Sequence, residues 1–130
     1  MTNQDPQSLA SKQGYIGEDL AEVWLIDNGF SIDDRGVKLN GVEADFMVQK
    51  DDDGWFVTVK ASWRGKRPGL IRTDTLRKAI AEAWLVKTQY ALKVLVLTSH
   101  VPTKGVAHQA LRVALREELF DRVEVLTNGR

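Results

Sequence analysis

VEADFMVQKDDDGWFVTVKASW, residues 42–63, carries the clearest periodic pattern in the chain. Ala44, Phe46 and Val48 alternate with Glu43, Asp45, Met47 and Gln49, and further on Trp55, Val57 and Val59 alternate with Phe56, Thr58 and Lys60. A period of two belongs to β-strands, and Asp53-Gly54 signals a hairpin turn. With Asp51–Gly54 as the loop, Asp45 stands directly opposite Lys60, with Cβ atoms about 5 Å apart and side chains on one face. A two-residue Asp53-Gly54 loop makes them diagonal neighbours on that same face, whereas a three-residue loop with a bulge breaks the relation. One face of the hairpin is apolar, and the other brings an acid and a lysine together. Alone, such a pair is an ordinary solvent-facing ion pair worth about 0–1 kcal/mol. Its meaning depends on what surrounds it.

The 130 residues suffice for one domain with a core and are too few for two. There is no cysteine, which excludes disulfides, thiolate metal sites and a cysteine nucleophile. No apolar run approaches the roughly 20 residues of a membrane span, and the opening MTNQDPQS has no secretion-signal pattern. The expectation is a cytoplasmic protein without membrane contact. The net charge is zero, but the charges are segregated: residues 1–59 hold 4 Lys/Arg against 12 Asp/Glu, while residues 60–78 hold 7 against 1. A basic block of this kind suits a polyanion met at one place, although solvated charge runs are the commoner cause.

Residues 1–11 are polar and read as a flexible arm, leaving 12–130 as a single domain. From Lys12 to Asn28 the spacing is helical, with Ile16, Leu20, Val23 and Trp24 as the stripe and Ala21 and Leu25 widening it. Glu18 falls about 20° from Leu25 on the helical wheel, at the edge of that stripe. Phe30–Leu39 is a strand, and Asn40-Gly41 turns it into the central hairpin. After Lys60 the loop ASWRGKRPGL places Trp63 among Arg64, Lys66 and Arg67, with Arg72 close behind. Cations mixed with an aromatic suit nucleic acid backbone and bases, so these five residues are the expected nucleic-acid contacts. Thr73–Tyr90 is a second helix, capped by Thr73 or Asp74, with Leu76, Ala79, Ile80, Ala83, Trp84 and Val86 as its stripe. Leu92–Thr98 is an apolar strand covered on both faces, Val106–Phe120 a third helix, and Val123–Leu126 a last strand. The order α-β-β-β-α-β-α-β predicts a three-layer α/β/α sandwich on a central mixed sheet.

Glycine-rich phosphate loops and a Gly-x-Ser-x-Gly elbow are absent, and His100 and His108 fit no metal-ligand spacing. The polar constellation left is Asp45 and Lys60, with Glu18 and Glu43 as further carboxylates.

Gly14-x-x-Gly17-Glu18 in the first helix, then Ala44-Asp45-Phe46, a turn, Val57-Thr58-Val59-Lys60, a basic loop and a helix resemble the PD-(D/E)XK nuclease superfamily. The likeness is greatest to its Mrr-type and archaeal Holliday-junction resolvase branches, and it covers roughly residues 12–98. It implies a restriction-endonuclease-like fold and divalent-metal-dependent hydrolysis of DNA phosphodiesters. Asp45 would be a metal ligand, Lys60 the catalytic lysine and Glu18 an additional acid and metal ligand, with Mg²⁺ or Mn²⁺ as cofactor. A hard cation acidifies a water and neutralises developing phosphate charge, and the lysine orients or deprotonates that water. The sequence departs from the family at Thr58, where a second acidic ligand is usual. Either Glu18, Glu43 or Glu82 replaces it, or catalysis is lost and the chain is a nuclease-fold module that binds DNA or a partner protein. Homodimerisation is left open by the sequence.

Overall fold

The structure, a computed structural model, describes the backbone of residues 6–127 and side chains from residue 16 onward. Five strands form one sheet in the order β1-β2-β3-β4-β5. Strands β1 (Ser31–Leu39), β2 (Val42–Lys50) and β3 (Asp53–Lys60) pair antiparallel, while β4 (Lys93–Thr98) and β5 (Arg122–Val125) continue the sheet in parallel from β3. Helix α1 (Pro6–Asp27) covers one face, and α2 (Thr73–Lys87) and α3 (Gly105–Arg116) cover the other. This is the expected α-β-β-β-α-β-α-β sandwich on a mixed sheet. The expected arm, residues 1–11, lies partly outside the described residues, and from Pro6 the backbone is already helical. Proline is well suited to a first helical position, where its missing N–H costs no bond.

Two apolar clusters hold the layers together. Phe46, Val48, Trp55, Val57, Leu95 and Leu97 pack with Ala21 and Leu25 of α1. Phe56, Val94 and Val96 pack on the opposite face with Leu76, Ala79, Ala83 and Val86 of α2 and with Leu111 and Ala114 of α3. The completely buried Val94–Leu97 run alternates between the two clusters, which is why it is apolar at every position.

Several expectations change. The hairpin loop is neither Asp51–Gly54 nor Asp53-Gly54: Lys50 pairs with Asp53 and Gln49 with Gly54, leaving Asp51-Asp52 as the turn. Both aspartates take positive φ, 51° and 71°, which a two-residue hairpin turn of this hand requires and which Asp tolerates. Gly54 therefore serves the strand; a Cβ there would lie 3.0 Å from Leu92 Cδ2. On α1 the buried line is Gly17, Ala21 and Leu25, whereas Ile16 and Val23 are exposed. Small residues bring the helix close to the sheet, with a Cβ on Gly17 falling 3.4 Å from Ala61. Trp84, expected in the core, is 57% exposed, because it sits about 80° around the wheel from Leu76. Neither Thr73 nor Asp74 caps α2; Arg72 occupies the N-cap and no side chain bonds there.

Strand β2 also changes face. Val42 and Ala44 pack toward α2, with Val37 and Leu39 of β1, yet Phe46 and Val48 pack toward α1. Residues of equal parity would share a face in a regular strand, so the β1–β2 ribbon twists between them. Gly36, with φ +58°, and Asp45 lie at the crossover, between the pairs Arg35↔Phe46 and Val37↔Ala44. The twist re-aims Asp45, much as bulges do.

The basic loop after β3 is tied to the end of β4 by a 3-10 turn, Gly69–Ile71, in which Leu70 N–H donates to His100 O at 3.0 Å. Gly69 has φ +58°, and a Cβ there would meet Thr98 Oγ1 at 2.7 Å and His100 N at 2.8 Å. Gly65, at φ +82°, has open space around it. Gly69→Ala should therefore cost about 3 kcal/mol in urea unfolding, by strain and overpacking together. Gly65→Ala should cost only about 1 kcal/mol. Equal losses would mean that Gly69 is not the packed anchor of the loop.

Candidate active site

The observed register, continued by one residue beyond Phe46↔Val57, sets Asp45 against Thr58 and makes Lys60 its diagonal neighbour. Asp45 and Lys60 are near enough for the lysine's charge to act on the carboxylate, but Lys60 is ion-paired elsewhere. Its Nζ lies 3.0 Å from Oε1 of Glu82 on α2, with the two side chains only 13% and 14% exposed. Thr58, itself buried, donates its hydroxyl to that same Oε1 at 3.2 Å. Glu82 thus brings a carboxylate over the strand position where Thr58 lacks one. The sequence hint was slight: Glu82 lies about 40° from buried Val86 on the helical wheel.

Asp45 is held by the backbone of β3, with Val59 N–H donating to Oδ2 at 2.6 Å. Burial pushes its carboxyl above the usual range and outweighs the Val59 bond and the Lys60 charge, both of which pull it down. Glu82 and Glu43 push it further up. Glu18 is exposed at the edge of α1, brought near by the close approach of Gly17 to Ala61. Its carboxyl is also raised, first by partial desolvation and then by Asp45 and Asp19, against the opposing charge of Arg35. Glu43 is exposed.

Among the described residues no three His, Asp or Glu side chains form a ready metal cage. A Mg²⁺-type ion, however, commonly takes one or two carboxylates and keeps several waters. Asp45 Oδ1 and Glu82 Oε2 have no hydrogen-bond partner among the described residues, whereas the other oxygen of each is fixed. Asp45 and Glu82, each anchored through one oxygen, thus offer the kind of oxygen donor such an ion takes.

Beside this cluster lies an open cleft of about 570 Å³. Lys60, Arg64, Lys66, Arg67 and Arg72 line it together with Thr73, Asp74 and Thr75 of the first turn of α2. The cleft brings four of the five expected nucleic-acid residues beside Lys60. Trp63, the fifth, packs against the α1-side cluster and is not part of the lining. His108 Nδ1 sits 3.3 Å from Pro102 O, and His100 lies at the end of β4 against the Gly69 turn. Neither belongs to a metal cage.

The sequence matches no protein-family model and no curated protein. In structure the chain is similar to a repair endonuclease from Pyrococcus abyssi, with a TM-score of 0.52 and 14% identity. The match covers 98% of this chain and 48% of that one, so this chain spans about half of its neighbour's length. An XisH family protein from Nostoc punctiforme is matched at TM-score 0.48 and 10% identity, over 85% of this chain and 91% of that one. The mixed five-stranded sheet between helices is thus a restriction-endonuclease-like fold.

Because the folded state raises the Asp45 pKa, ionising this group costs stability. Its contribution is fully present below the unfolded carboxyl value and is lost as pH rises through the folded one. Asp45→Asn keeps an acceptor for Val59 N–H and removes the partly desolvated charge. The variant should therefore melt higher than wild type at pH 7, by about 2–6 °C, and the gap should close on acidification through the carboxylate range. A lower melting temperature at pH 7 would mean that the Asp45 carboxylate is stabilising.

Proposed function

We propose that the chain is a divalent-metal-dependent DNA endonuclease in which Asp45 and Glu82 hold the cation and Lys60 is the catalytic lysine. The observation that carries this reading is the Glu82 carboxylate on the Thr58 hydroxyl and the Lys60 ammonium, which offsets the missing acid at Thr58. A bound cation would supply an acidified water and neutralise charge building on the scissile phosphate. Lys60, at the junction of the carboxylates and the basic cleft, orients that water as an ammonium donor and steadies a phosphate oxygen. Glu18 acts from the rim as an outer carboxylate that raises the local demand for a cation.

DNA is the proposed substrate because the cleft gathers five cations at the uncapped N-terminus of α2. Free N–H groups and the positive end of the helix dipole favour phosphate there. The cations near the start of α2, unfavourable to the helix alone, are offset by such an anion. Mg²⁺ or Mn²⁺ fits the oxygen donors, and Mn²⁺ should support more activity because it binds such sites more tightly.

A second reading, a DNA-binding module without catalysis, is favoured by the lack of a three-acid cage among the described residues and by the engagement of Lys60 with Glu82. Metal binding separates the two. Mn²⁺ titration followed by tryptophan fluorescence should saturate in wild type, and Glu82→Gln should weaken it about tenfold or more, with a smaller loss for Glu18→Gln. Lys60→Ala should abolish cleavage of DNA while largely sparing DNA affinity. No metal binding and no cleavage by wild type would establish the inactive module. For the cleft, neutralising Lys66 and Arg67 together should flatten the salt slope of duplex binding by about two units. An unchanged slope and affinity would show a merely solvated loop.

A further inference from the structure

A second groove, of about 560 Å³, adjoins the basic cleft, and Arg67 and Thr73 line both. Its character is different. Ile71, Val101, Pro102 and Val106 supply an apolar lining, and among the described residues Arg67 and Lys104 are its only charged ones, with no acid. Val106 is 64% exposed at the second position of α3, an apolar side chain that no packing in the chain accounts for.

We infer that this groove seats an unpaired nucleotide of the DNA whose phosphates lie in the adjoining cleft. The inference rests on the DNA reading above and narrows its substrate to DNA with an unstacked base beside the cut site. A strand leaving the cleft past Arg67 stays among cations, with Lys104 available for a further phosphate. Fully paired DNA presents sugar and phosphate to a surface and hides its base faces in the stack, so apolar walls gain nothing from it. An unpaired base offers a broad apolar face, and proteins that receive one do so between aromatic or apolar side chains. Aliphatic walls contact any base face without reading its edge, so the groove should favour an unpaired base of any identity.

The test compares a gapped or flapped duplex with a fully paired duplex of equal length, by fluorescence anisotropy with Ca²⁺ in place of the catalytic metal. A 2-aminopurine at the first unpaired position reports on base environment. Val106→Glu is the variant, since an acid in the first turn of α3 suits the helix and leaves the fold intact. Wild type should bind the gapped DNA about tenfold tighter than the duplex and change the 2-aminopurine signal. Val106→Glu should bind the two DNAs equally and leave the signal unchanged, and the uncharged Val106→Gln should do the same, which separates loss of the apolar wall from charge repulsion. Equal affinities in wild type, or a preference that survives Val106→Glu, would overturn the inference while leaving the basic cleft in place. Failure of wild type to bind either DNA would overturn the DNA reading and this inference with it.

Discussion

Asp45 is a carboxylate that the fold half-buries at a cost. It stands where the β1–β2 ribbon passes from one layer of the sandwich to the other, and one of its oxygens is committed to Val59 N–H. The twist around Gly36, the diagonal relation to Lys60 and the closeness of α1 at Gly17 all converge on this position. Hydrogen bonding and a nearby lysine favour the charged form, and desolvation still wins. A half-buried acid with Glu82 and Glu43 close enough to raise it is an electrostatic setting that favours a cation.

The Lys60–Glu82 pair has a similar logic. At 13% and 14% exposure the desolvation of both groups offsets much of their attraction, so the pair offers little net stability. It nevertheless fixes one oxygen of Glu82, with Thr58 holding the same atom. Thr58 is then better understood as a positioning residue for a carboxylate carried by α2 than as a failed ligand. The basic loop completes the arrangement, because Gly69 locks it to the end of β4 and so sets Arg67 and Arg72 beside Lys60.

Much of the fold was legible because the signals were local and repeated. The alternation over residues 42–60, the apolar 94–97 run and three helical stripes determined the element order and the three layers. The turn was not legible at residue level: Asp53-Gly54 is the stronger pattern, but the pairing register placed the left-handed turn on Asp51-Asp52. Parity placed Asp45 and Lys60 close together, although it gave no sign of the face change at Ala44–Phe46, which depends on the tertiary twist of β1 against β2. Glu82 was ambiguous because a position at the edge of a buried arc can face either way, and only the docking angle of α2 decides it. Trp63, in the loop after β3, packs inward beside α1 instead of lining the basic cleft, and Trp84 faces out.

The central claim is that Asp45 and Glu82 share one divalent cation. Crystals grown with Mn²⁺, measured at a wavelength where manganese scatters anomalously, would locate the ion directly. The expected result is a single strong anomalous peak between the Asp45 and Glu82 carboxylates, about 2.0–2.3 Å from an oxygen of each, with Lys60 beside it. A peak held only by acids other than Asp45 and Glu82 would contradict it. So would an empty Asp45–Glu82 site at a Mn²⁺ concentration that saturates the protein in solution.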